Sequence, residues 1–338
     1  MVWEDGGREP SSYPIGAARD CLKILQIYFS DELPDMSTAI LLIGLSSGFL
    51  HSIYSAFSKA LLNRIKEPFL LLVYVSIFQA LVTPLLWIFV APQLPSPGGW
   101  TPLLISCLTC VVAYLFMYSA LHCGDVSSVM PIMGSKIIFA GLLAIPLLHE
   151  RHSWQVYVAA VLVAVAIALL SYSPSKSGSS RFPLKPIALM TGCSIIFGIT
   201  DISIKRSLLF LDSYNFMIYY NFIVGVLSLC VIPYVRKRGT ARALNGGDLR
   251  LSLYSAVALV AATLLFTIML KISSGVVIPN ILQSTRGVFI VLITALLSHR
   301  GSTMLETQSR SVYMLRLAAS ILIVISIWIA LSHFPSVS

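Results

Sequence analysis

Charged side chains are scarce along this chain: Asp, Glu, Lys and Arg make up only 11% of its 338 residues. Acids are the scarcer kind, with 14 against 23 basic residues, and 7 of the 14 precede residue 36. A soluble domain of this length needs far more polar surface. Because 57% of the residues are hydrophobic and the mean hydropathy is +0.86, we predict an integral, multi-pass protein of a cell or inner membrane.

Recognisable catalytic and cofactor-binding sets are also missing from the sequence. It holds no nucleophile with a base and an orienting partner, no pair of catalytic carboxylates and no glycine loop for phosphates. Cys107 and Cys110 form a CxxC pattern, but they stand in an apolar run without histidines, which favours packing over metal binding. Basic stripes with interleaved aromatic residues are absent too. We therefore expect no enzyme, no metal, no cofactor and no nucleic-acid partner.

Long apolar runs are what the chain has instead. A helix needs about 20 residues to cross the hydrocarbon core of a bilayer, and ten runs have roughly that length. In chain order they are 36–59, 68–90, 102–122, 125–148, 153–172, 186–207, 213–235, 251–271, 275–298 and 311–333. The sequence therefore predicts an all-α fold with ten membrane-spanning helices, numbered here as the first to tenth spans.

The segment 174–185 divides the ten runs into five and five. It is rich in Ser, Pro, Gly and cations, so it can neither pack in a core nor span a membrane. We expect a polar arm at 1–35, a five-helix repeat at 36–173, this linker, a second repeat at 186–333 and a tail at 334–338. Because each repeat has an odd number of spans, the second would be inverted in the membrane. Ten unrelated helices are the alternative.

Matched residues 150 positions apart support the duplication. The pairs are Ser135 and Thr285, Lys136 and Arg286, Phe139 and Phe289, and His149 and His299. Each of the two cations stands alone in the middle of an apolar run. A charge at the centre of a bilayer costs about 2.5 to 3.5 kcal/mol on insertion scales. Two such charges at equivalent places predict a functional centre.

Lys136, in the fourth span, has no hydrogen-bond acceptor on its own helical face, so its partner must come from elsewhere. One interpretation is an internal ion pair, for which Asp201 is the main available carboxylate. A second is binding of an anionic or carboxylate-bearing solute, and a third is access to a water-filled vestibule. All three stay open at this point.

Arg286, in the ninth span, follows Asn280 and Gln283 at intervals of three, so the three side chains can line one groove. A planar guanidinium beside amides suits bidentate capture of a carboxylate or phosphate. Bonding to backbone carbonyls is the alternative. Pro131 and Pro279 shortly precede the two cations and remove backbone hydrogen bonds, which indicates bent or broken helices at the level where binding sites often form.

Asp201 and His51 are further titratable residues within the predicted spans. Lys205 lies one turn after Asp201, which favours simple neutralisation near a helix end over a role in coupling to protons. His51 stands among Ser and Tyr residues, and a packed, hydrogen-bonded histidine is favoured over a proton carrier.

Polar residues on the third and seventh spans are candidates for the same cavity. Tyr220 and Asn221 in the seventh span either bridge helices or bind a polar solute. Tyr118 shares a face of the third span with Tyr114 and His122, at intervals of four.

Basic residues are unevenly distributed between the predicted loops. For ten spans, 14 lie on the side opposite the termini and 7 on the terminal side. The positive-inside rule then favours both termini outside.

The sequence resembles the EamA-like transporters of the drug/metabolite transporter superfamily over residues 36–333. The stretch 120–131, the apolar run after it, and Glu150 and Arg151 before a fifth span of small residues carry the resemblance. The second copy lacks the acid, at 299–301. The resemblance implies two five-helix repeats with both termini in the cytoplasm, opposite to the charge distribution, so the orientation stays open.

Triose-phosphate and nucleotide-sugar transporters of that superfamily have cations on the fourth and ninth helices and a Tyr-Asn pair on the seventh. Lys136, Arg286, Tyr220 and Asn221 match these places. Phe222 stands where nucleotide-sugar carriers typically have a second Asn, and the ninth span has one cation instead of two. The resemblance thus implies substrate contacts for these residues without naming the substrate.

Taken together, these features predict a secondary active transporter, an exporter or exchanger of a small polar metabolite, anionic or zwitterionic, working by alternating access. Lys136 and Arg286 would clamp the substrate. One alternative is an exporter of neutral or hydrophobic drugs or amino acids on the same fold, and another is a membrane binding or assembly subunit that transports nothing. The expected partners are a small-molecule substrate and the lipid bilayer, and a homodimer is left open.

Overall fold

The structure is a computed structural model that describes residues 36–124, 126–149, 153–171, 184–237, 245–299 and 310–332. The predicted arm, linker and tail lie wholly or mostly outside the described residues, as do Glu150 and Arg151. The chain forms two compact units, 1–39 and 40–338. Only the last four residues of the first unit are described, and they begin the first helix.

Helices account for each of the ten predicted spans. In the first half they are Met36–Ile65, Pro68–Val82 with the 3₁₀ segment Thr83–Ile88, Pro97–Cys123, Val126–Ile132 and Lys136–Leu148 around the 3₁₀ turn Met133–Ser135, and Trp154–Ser171. In the second half they are Leu184–Ser207, Ser213–Leu229 followed by Ile232–Lys237, Gly246–Ile272, Val277–Gln283 and Arg286–His299, and Arg310–Ser332.

The length and composition of these helices suit a membrane. Among the described residues, seven helices are long and apolar enough to cross one, and Met133–Leu148 and Trp154–Ile167 are shorter apolar helices. The tenth span has 23 residues, and about 20 are enough to cross the hydrocarbon core. The predicted all-α, polytopic membrane fold is confirmed, and the count of ten spans agrees with these helices.

Short polar side chains determine where several spans begin. Glu67 accepts a hydrogen bond from Phe69 N at 3.3 Å, and Asn245 accepts one from Asp248 N at 2.8 Å. Such caps satisfy amide groups that a helix leaves unpaired at its start. The eighth span therefore begins at Gly246, five residues before the predicted start at 251.

The fourth and ninth spans are each broken beside the buried cation. The fourth passes through the turn Met133–Ser135 before its helix restarts at Lys136. The ninth turns at 284–285 before its helix restarts at Arg286. The predicted breaks are present, a few residues beyond the two prolines. Each cation thus opens the second half of a discontinuous helix.

Hydroxyl groups explain the break in the ninth span. Ser284 Oγ donates to Ile281 O at 2.6 Å, and Thr285 Oγ1 donates to Leu282 O at 2.7 Å. The backbone amides of the same two residues also bond three residues back, at 3.2 Å each. Side chains that bond locally to carbonyls offer the backbone an alternative to the α-helix. The chain therefore takes one tight turn here before the helix resumes.

Contacts between the helices come in equivalent pairs. Where two spans touch, the two spans at the corresponding places of the opposite repeats also touch. The third span packs on the sixth. The first contacts the eighth, where Ser47 Oγ donates to Ala262 O at 2.9 Å and the Ser58 and Ser255 hydroxyls lie 3.3 Å apart. The fifth packs on the tenth, the second on the seventh, and each half of the fourth crosses the opposite half of the ninth. Repeats related by an axis in the membrane plane require such pairs.

Two lysines repeat the same symmetry at the helix ends. Lys59 Nζ, on the first span, donates to Leu121 O and Gly124 O at the end of the third, at 2.8 and 2.9 Å. Lys205 Nζ, on the sixth, donates to two carbonyls at the end of the eighth, at 2.6 Å each. An ammonium group satisfies carbonyls that a helix leaves unpaired at its end. Each lysine thus ties two spans of its own repeat together.

Two glycines on the first span let it approach the break in the ninth. Gly44 and Gly48 have the spacing typical of closely packed membrane helices. A Cβ at Gly44 would lie 2.6 Å from Leu282 Cβ, and one at Gly48 would overlap the hydroxyl of Thr285. The close approach of the two spans depends on the absence of these side chains.

We expect Gly44→Ala to lower the free energy of unfolding by about 1–3 kcal/mol, because overpacking moves the neighbouring helix. Thermal unfolding in detergent measures the change. Gly246→Ala is the matched control, since an added Cβ there meets no atom within 4 Å, and it should leave the melting temperature nearly unchanged. Equal effects of the two substitutions would contradict the close contact.

Candidate substrate-binding site

A cavity lies where the broken fourth and ninth spans meet the first, third, sixth, seventh and eighth. The space open to the centres of water molecules is about 50 Å³. At roughly 10–15 Å³ per water, this holds only a few molecules. Six of the nine predicted site residues line it: Lys136, Arg286, Gln283, Tyr220, Asp201 and His51. The other three, Asn280, Asn221 and Tyr118, do not line it.

Lys136 has an internal partner. It is 4% exposed, and its Nζ lies 3.0 Å from Asp201 Oδ2 on the sixth span. The same Nζ lies 4.6 Å from the centre of the Phe266 ring, a cation–π contact. Of the three open interpretations, this geometry supports the internal ion pair. Because the pair links the fourth span to the sixth, it also joins the two repeats.

Neutralisation of Asp201 by Lys205, which the spacing of four residues favoured, is not what the structure shows. Asp201 is 2% exposed and pairs with Lys136. Lys205 Nζ instead reaches the end of the eighth span. A buried carboxylate gains most from a charge that is buried beside it, because the Coulomb energy grows as the local dielectric constant falls.

Arg286 has no such partner. It is 3% exposed, and its Nε and Nη2 make no hydrogen bond to any residue that the structure describes. Among the residues that the structure describes, its one hydrogen bond across helices is made by its backbone carbonyl, which accepts from Ser52 Oγ at 2.9 Å. A buried charged donor without a partner costs several kcal/mol. The guanidinium is therefore the most undersatisfied group in the described cavity.

The two amide side chains predicted beside Arg286 point in different directions. Gln283 faces the cavity: its Nε2 lies 3.4 Å from His51 Nε2, and its Oε1 has no hydrogen-bond partner among the described residues. Asn280 donates from Nδ2 to Val276 O at 2.9 Å, within its own span. The predicted polar groove thus consists of Gln283 and Arg286.

His51 carries a neutral imidazole in this arrangement. Its Nδ1 lies 2.9 Å from Ser47 O, an atom that can only accept, so Nδ1 carries the hydrogen. Its Nε2 faces the amide nitrogen of Gln283, which can only donate, so Nε2 accepts. His51 is 7% exposed and fully engaged. The favoured packed histidine is consistent with these bonds, although the residue also borders the cavity.

Tyrosines on the first and third spans form one side of the cavity. Tyr54 and Tyr118 share a hydrogen bond of 2.6 Å between their hydroxyls, and Tyr114 stacks on Tyr118 with ring centres 5.9 Å apart. Tyr114 and Tyr54 border the cavity, whereas Tyr118 lies behind them and His122 is exposed. The face predicted from spacing therefore contributes Tyr114, and Tyr54 joins it from the first span.

The seventh span divides its polar residues between the cavity and its neighbours. Tyr220 borders the cavity and stacks on Phe216 at 5.2 Å. Asn221 Oδ1 accepts from Gln79 Nε2 at 3.3 Å and so bridges to the second span. Asn221 thus bridges two helices, and Tyr220 is placed at the cavity wall.

Residues of the eighth span were absent from the predicted site. Thr263, Phe266 and Thr267 border the cavity. Both threonine hydroxyls donate to carbonyls within the same helix. No charge or motif marks residues 251–270 of this span in the sequence. Its place at the cavity follows instead from the packing of the eighth span against the second and seventh.

The cysteines take part in packing. Cys107 and Cys110 are buried, and Cys107 Sγ donates to Tyr220 O at 3.7 Å. Within the described ranges, no group of three His, Cys, Asp or Glu residues is placed to hold a metal ion.

We expect Asp201→Asn to lower the free energy of unfolding by about 3–5 kcal/mol, because it leaves the Lys136 ammonium buried without an acid. The double variant Lys136→Met/Asp201→Asn should recover part of this loss. Arg250→Gln is the control: Arg250 is exposed, and removal of its charge should change the free energy of unfolding by below about 0.5 kcal/mol. Thermal unfolding in detergent measures all three. Equal losses in the single and double variants would contradict the buried pair.

Comparison with solved structures supports the same fold. The chain matches 28 chains of solved structures. One of them, described only as "Crystal structure of protein", has a TM-score of 0.62 and 16% sequence identity, and the match covers 88% of this chain and 98% of that one. At this identity the similarity shows the fold alone. No curated protein matches the chain.

The family comparison concerns the first half of the chain. Residues 38–172 match the model of the EamA-like transporter family. This stretch is almost the whole of the predicted first repeat, and it contains Lys136 and His51. The predicted resemblance to the EamA-like transporters of the drug/metabolite transporter superfamily is thereby confirmed over residues 38–172, and the chain is an integral multi-pass membrane protein.

Proposed function

We propose that the protein is a secondary transporter that moves a small anionic or zwitterionic metabolite by alternating access, with Arg286 binding the negative group of the substrate. The EamA-like family indicates a membrane transporter of the drug/metabolite type. The observation that carries the finer proposal is the Arg286 side chain, buried in the central cavity with two nitrogens unpaired.

The energetic argument concerns the cost of this unpaired charge. An arginine buried without an acid is unfavourable, and the fork of its guanidinium fits the two oxygens of a carboxylate or phosphate. A substrate anion would supply the missing acceptors and form charge-assisted hydrogen bonds. Substrate binding therefore offsets a cost already present in the empty protein.

Gln283 adds a second contact to the proposal. Its unpaired Oε1 lies on the same side of the ninth span as Arg286, at the cavity wall. An amide oxygen accepts hydrogen bonds. The preferred substrate would therefore carry a hydroxyl or amino group close to its anionic group.

Lys136 takes a different role from that of Arg286. Because it already pairs with Asp201 at 3.0 Å, we propose that it keeps the site positive and holds the repeats together, while Arg286 contacts the substrate directly. The symmetric clamp expected from the sequence becomes asymmetric. If the substrate also draws Lys136 away from Asp201, the pair would open as the repeats move.

The size of the cavity suits a closed state in the transport cycle. It holds only a few waters, less than a typical metabolite needs. The fourth and ninth spans cross at their breaks. A Cβ placed on Gly134 would lie 3.7 Å from Ser284 Cβ. In transporters built from inverted repeats, one repeat rocks against the other around such a site. We propose that rocking at this crossing opens the cavity to either side.

Two alternatives differ from the proposal in what they require of the cavity. An exporter of neutral or hydrophobic solutes would use the apolar wall, which includes Met117, Phe197 and Leu259. A subunit that transports nothing would have a filled centre and saturated cations. The cavity and the unpaired Arg286 argue against a subunit that transports nothing. The apolar wall is compatible with the export of neutral solutes, which the binding experiment below tests.

We expect small carboxylates and phosphate esters to raise the melting temperature of the detergent-solubilised protein more than neutral sugars or amines do. Arg286→Gln should weaken the binding of the best anion about 10- to 100-fold, since hydrogen bonds to charged groups are worth roughly 1.5–3 kcal/mol. Uptake of that anion into proteoliposomes should fall in parallel.

Arg250→Gln is the matched control for this experiment. Arg250 is exposed near the start of the eighth span and does not border the central cavity, so binding and uptake should stay at the wild-type level. Full transport by Arg286→Gln, or equal competition by neutral solutes, would favour the exporter of neutral compounds.

A further inference from the structure

His51 and Asp201 occupy equivalent places in the two repeats. Their numbers differ by 150 (201 minus 51), the same offset that relates Lys136 to Arg286. His51 lies on the first span of the first repeat and Asp201 on the first span of the second. One repeat therefore presents a carboxylate where the other presents an imidazole.

Each of these two residues borders the cavity that also contains the cation of the opposite repeat. Asp201 contacts Lys136 at 3.0 Å. His51 borders the same cavity as Arg286, and Ser52, the next residue, donates to Arg286 O at 2.9 Å. Phe49 lies two residues before His51, and Phe289 lies three residues after Arg286. The centres of their rings are 5.5 Å apart. By this symmetry, an acid in place of His51 would be the natural partner of Arg286.

The charges that border the cavity do not balance. Lys136 and Arg286 contribute two positive charges and Asp201 contributes one negative charge, and no other Asp, Glu, Lys or Arg within the described ranges borders the cavity. His51 is neutral by its hydrogen bonds. The site therefore holds one net positive charge, located at Arg286.

From this imbalance we infer that His51 sets the charge selectivity of the site: it leaves the acid position empty, so that the site accepts a substrate group with one negative charge. The inference rests on the proposed function, in which Arg286 binds an anion. A monoanion brings the site to neutrality, as Asp201 does for Lys136.

Other charge states fit less well. A dianion leaves one negative charge uncompensated in a cavity whose wall includes Met130, Met133 and Phe216. A neutral solute leaves the guanidinium unpaired. Since isolated charges are costly in an apolar environment, both bind more weakly. The selected class is therefore a monocarboxylate or another singly charged group, such as a phosphodiester.

Bromide, nitrate and sulfate, as potassium salts at constant ionic strength, test the inference without knowledge of the substrate. In the wild-type protein, bromide and nitrate should raise the melting temperature in a saturable manner, and sulfate should bind at least tenfold more weakly. The anomalous signal of bromide in soaked crystals should lie at Arg286. Arg286→Gln should lose the response to all three anions.

Two substitutions at His51 separate charge from shape. His51→Asn is neutral and should keep the wild-type preference for bromide over sulfate. His51→Asp supplies the missing acid, so it should melt at a higher temperature than the wild type without added anions and should bind bromide at least tenfold more weakly.

Each outcome supports or overturns a defined statement. Failure of every anion to bind, or a response that survives Arg286→Gln, overturns the proposed function and the inference with it. If Arg286→Gln loses the response but His51→Asp keeps it, the proposed function stands and the inference fails. Equal binding of sulfate and bromide by the wild type also overturns the inference, as does a His51→Asp protein that is destabilised or does not fold.

Discussion

Two cations and one carboxylate are buried together at the centre of this membrane protein. The Lys136–Asp201 pair, 3.0 Å long, satisfies one cation, and Arg286 is left without an acid among the described residues. Charge in a hydrocarbon environment is tolerated only where protein groups, water or ligand compensate it. The breaks in the fourth and ninth spans and the central cavity all lie at these three residues. The other helices form the frame that positions them.

Much of the frame could be predicted from the sequence, because its physical cause is local. The length of each apolar run determines where a helix can cross the membrane, and the polar segment at 174–185 divides the runs into two groups of five. The residues repeated at an offset of 150 identify Lys136 and Arg286 as equivalent positions. The two prolines indicated broken helices, although the ninth span turns beyond them, where Ser284 and Thr285 bond to carbonyls of the preceding turn.

The composition of the site was less predictable, because it depends on which helices touch. Spacing placed Tyr118 on a suitable face, and Asn221 was a candidate as a polar residue within a span. Their side chains nevertheless bond to Tyr54 and Gln79 on neighbouring spans. Nothing in the sequence distinguishes a polar residue that lines a cavity from one that bridges two helices. Residues 51 and 201 also stand at the offset of 150, but histidine and aspartate are unlike residues. The match has meaning only because Asp201 pairs with Lys136 and His51 borders the same cavity as Arg286.

The kind of cation at each place follows from the same logic. A lysine buried without an acid can escape the cost of burial by releasing its proton, and its compact ammonium is readily satisfied by one carboxylate. Lys136 has such a carboxylate and an aromatic ring beside it. An arginine stays charged in proteins and presents several donors in a fixed plane. At position 286 the positive charge therefore persists although no acid pairs with it among the described residues, and this is the physical basis for proposing that Arg286 binds an anion.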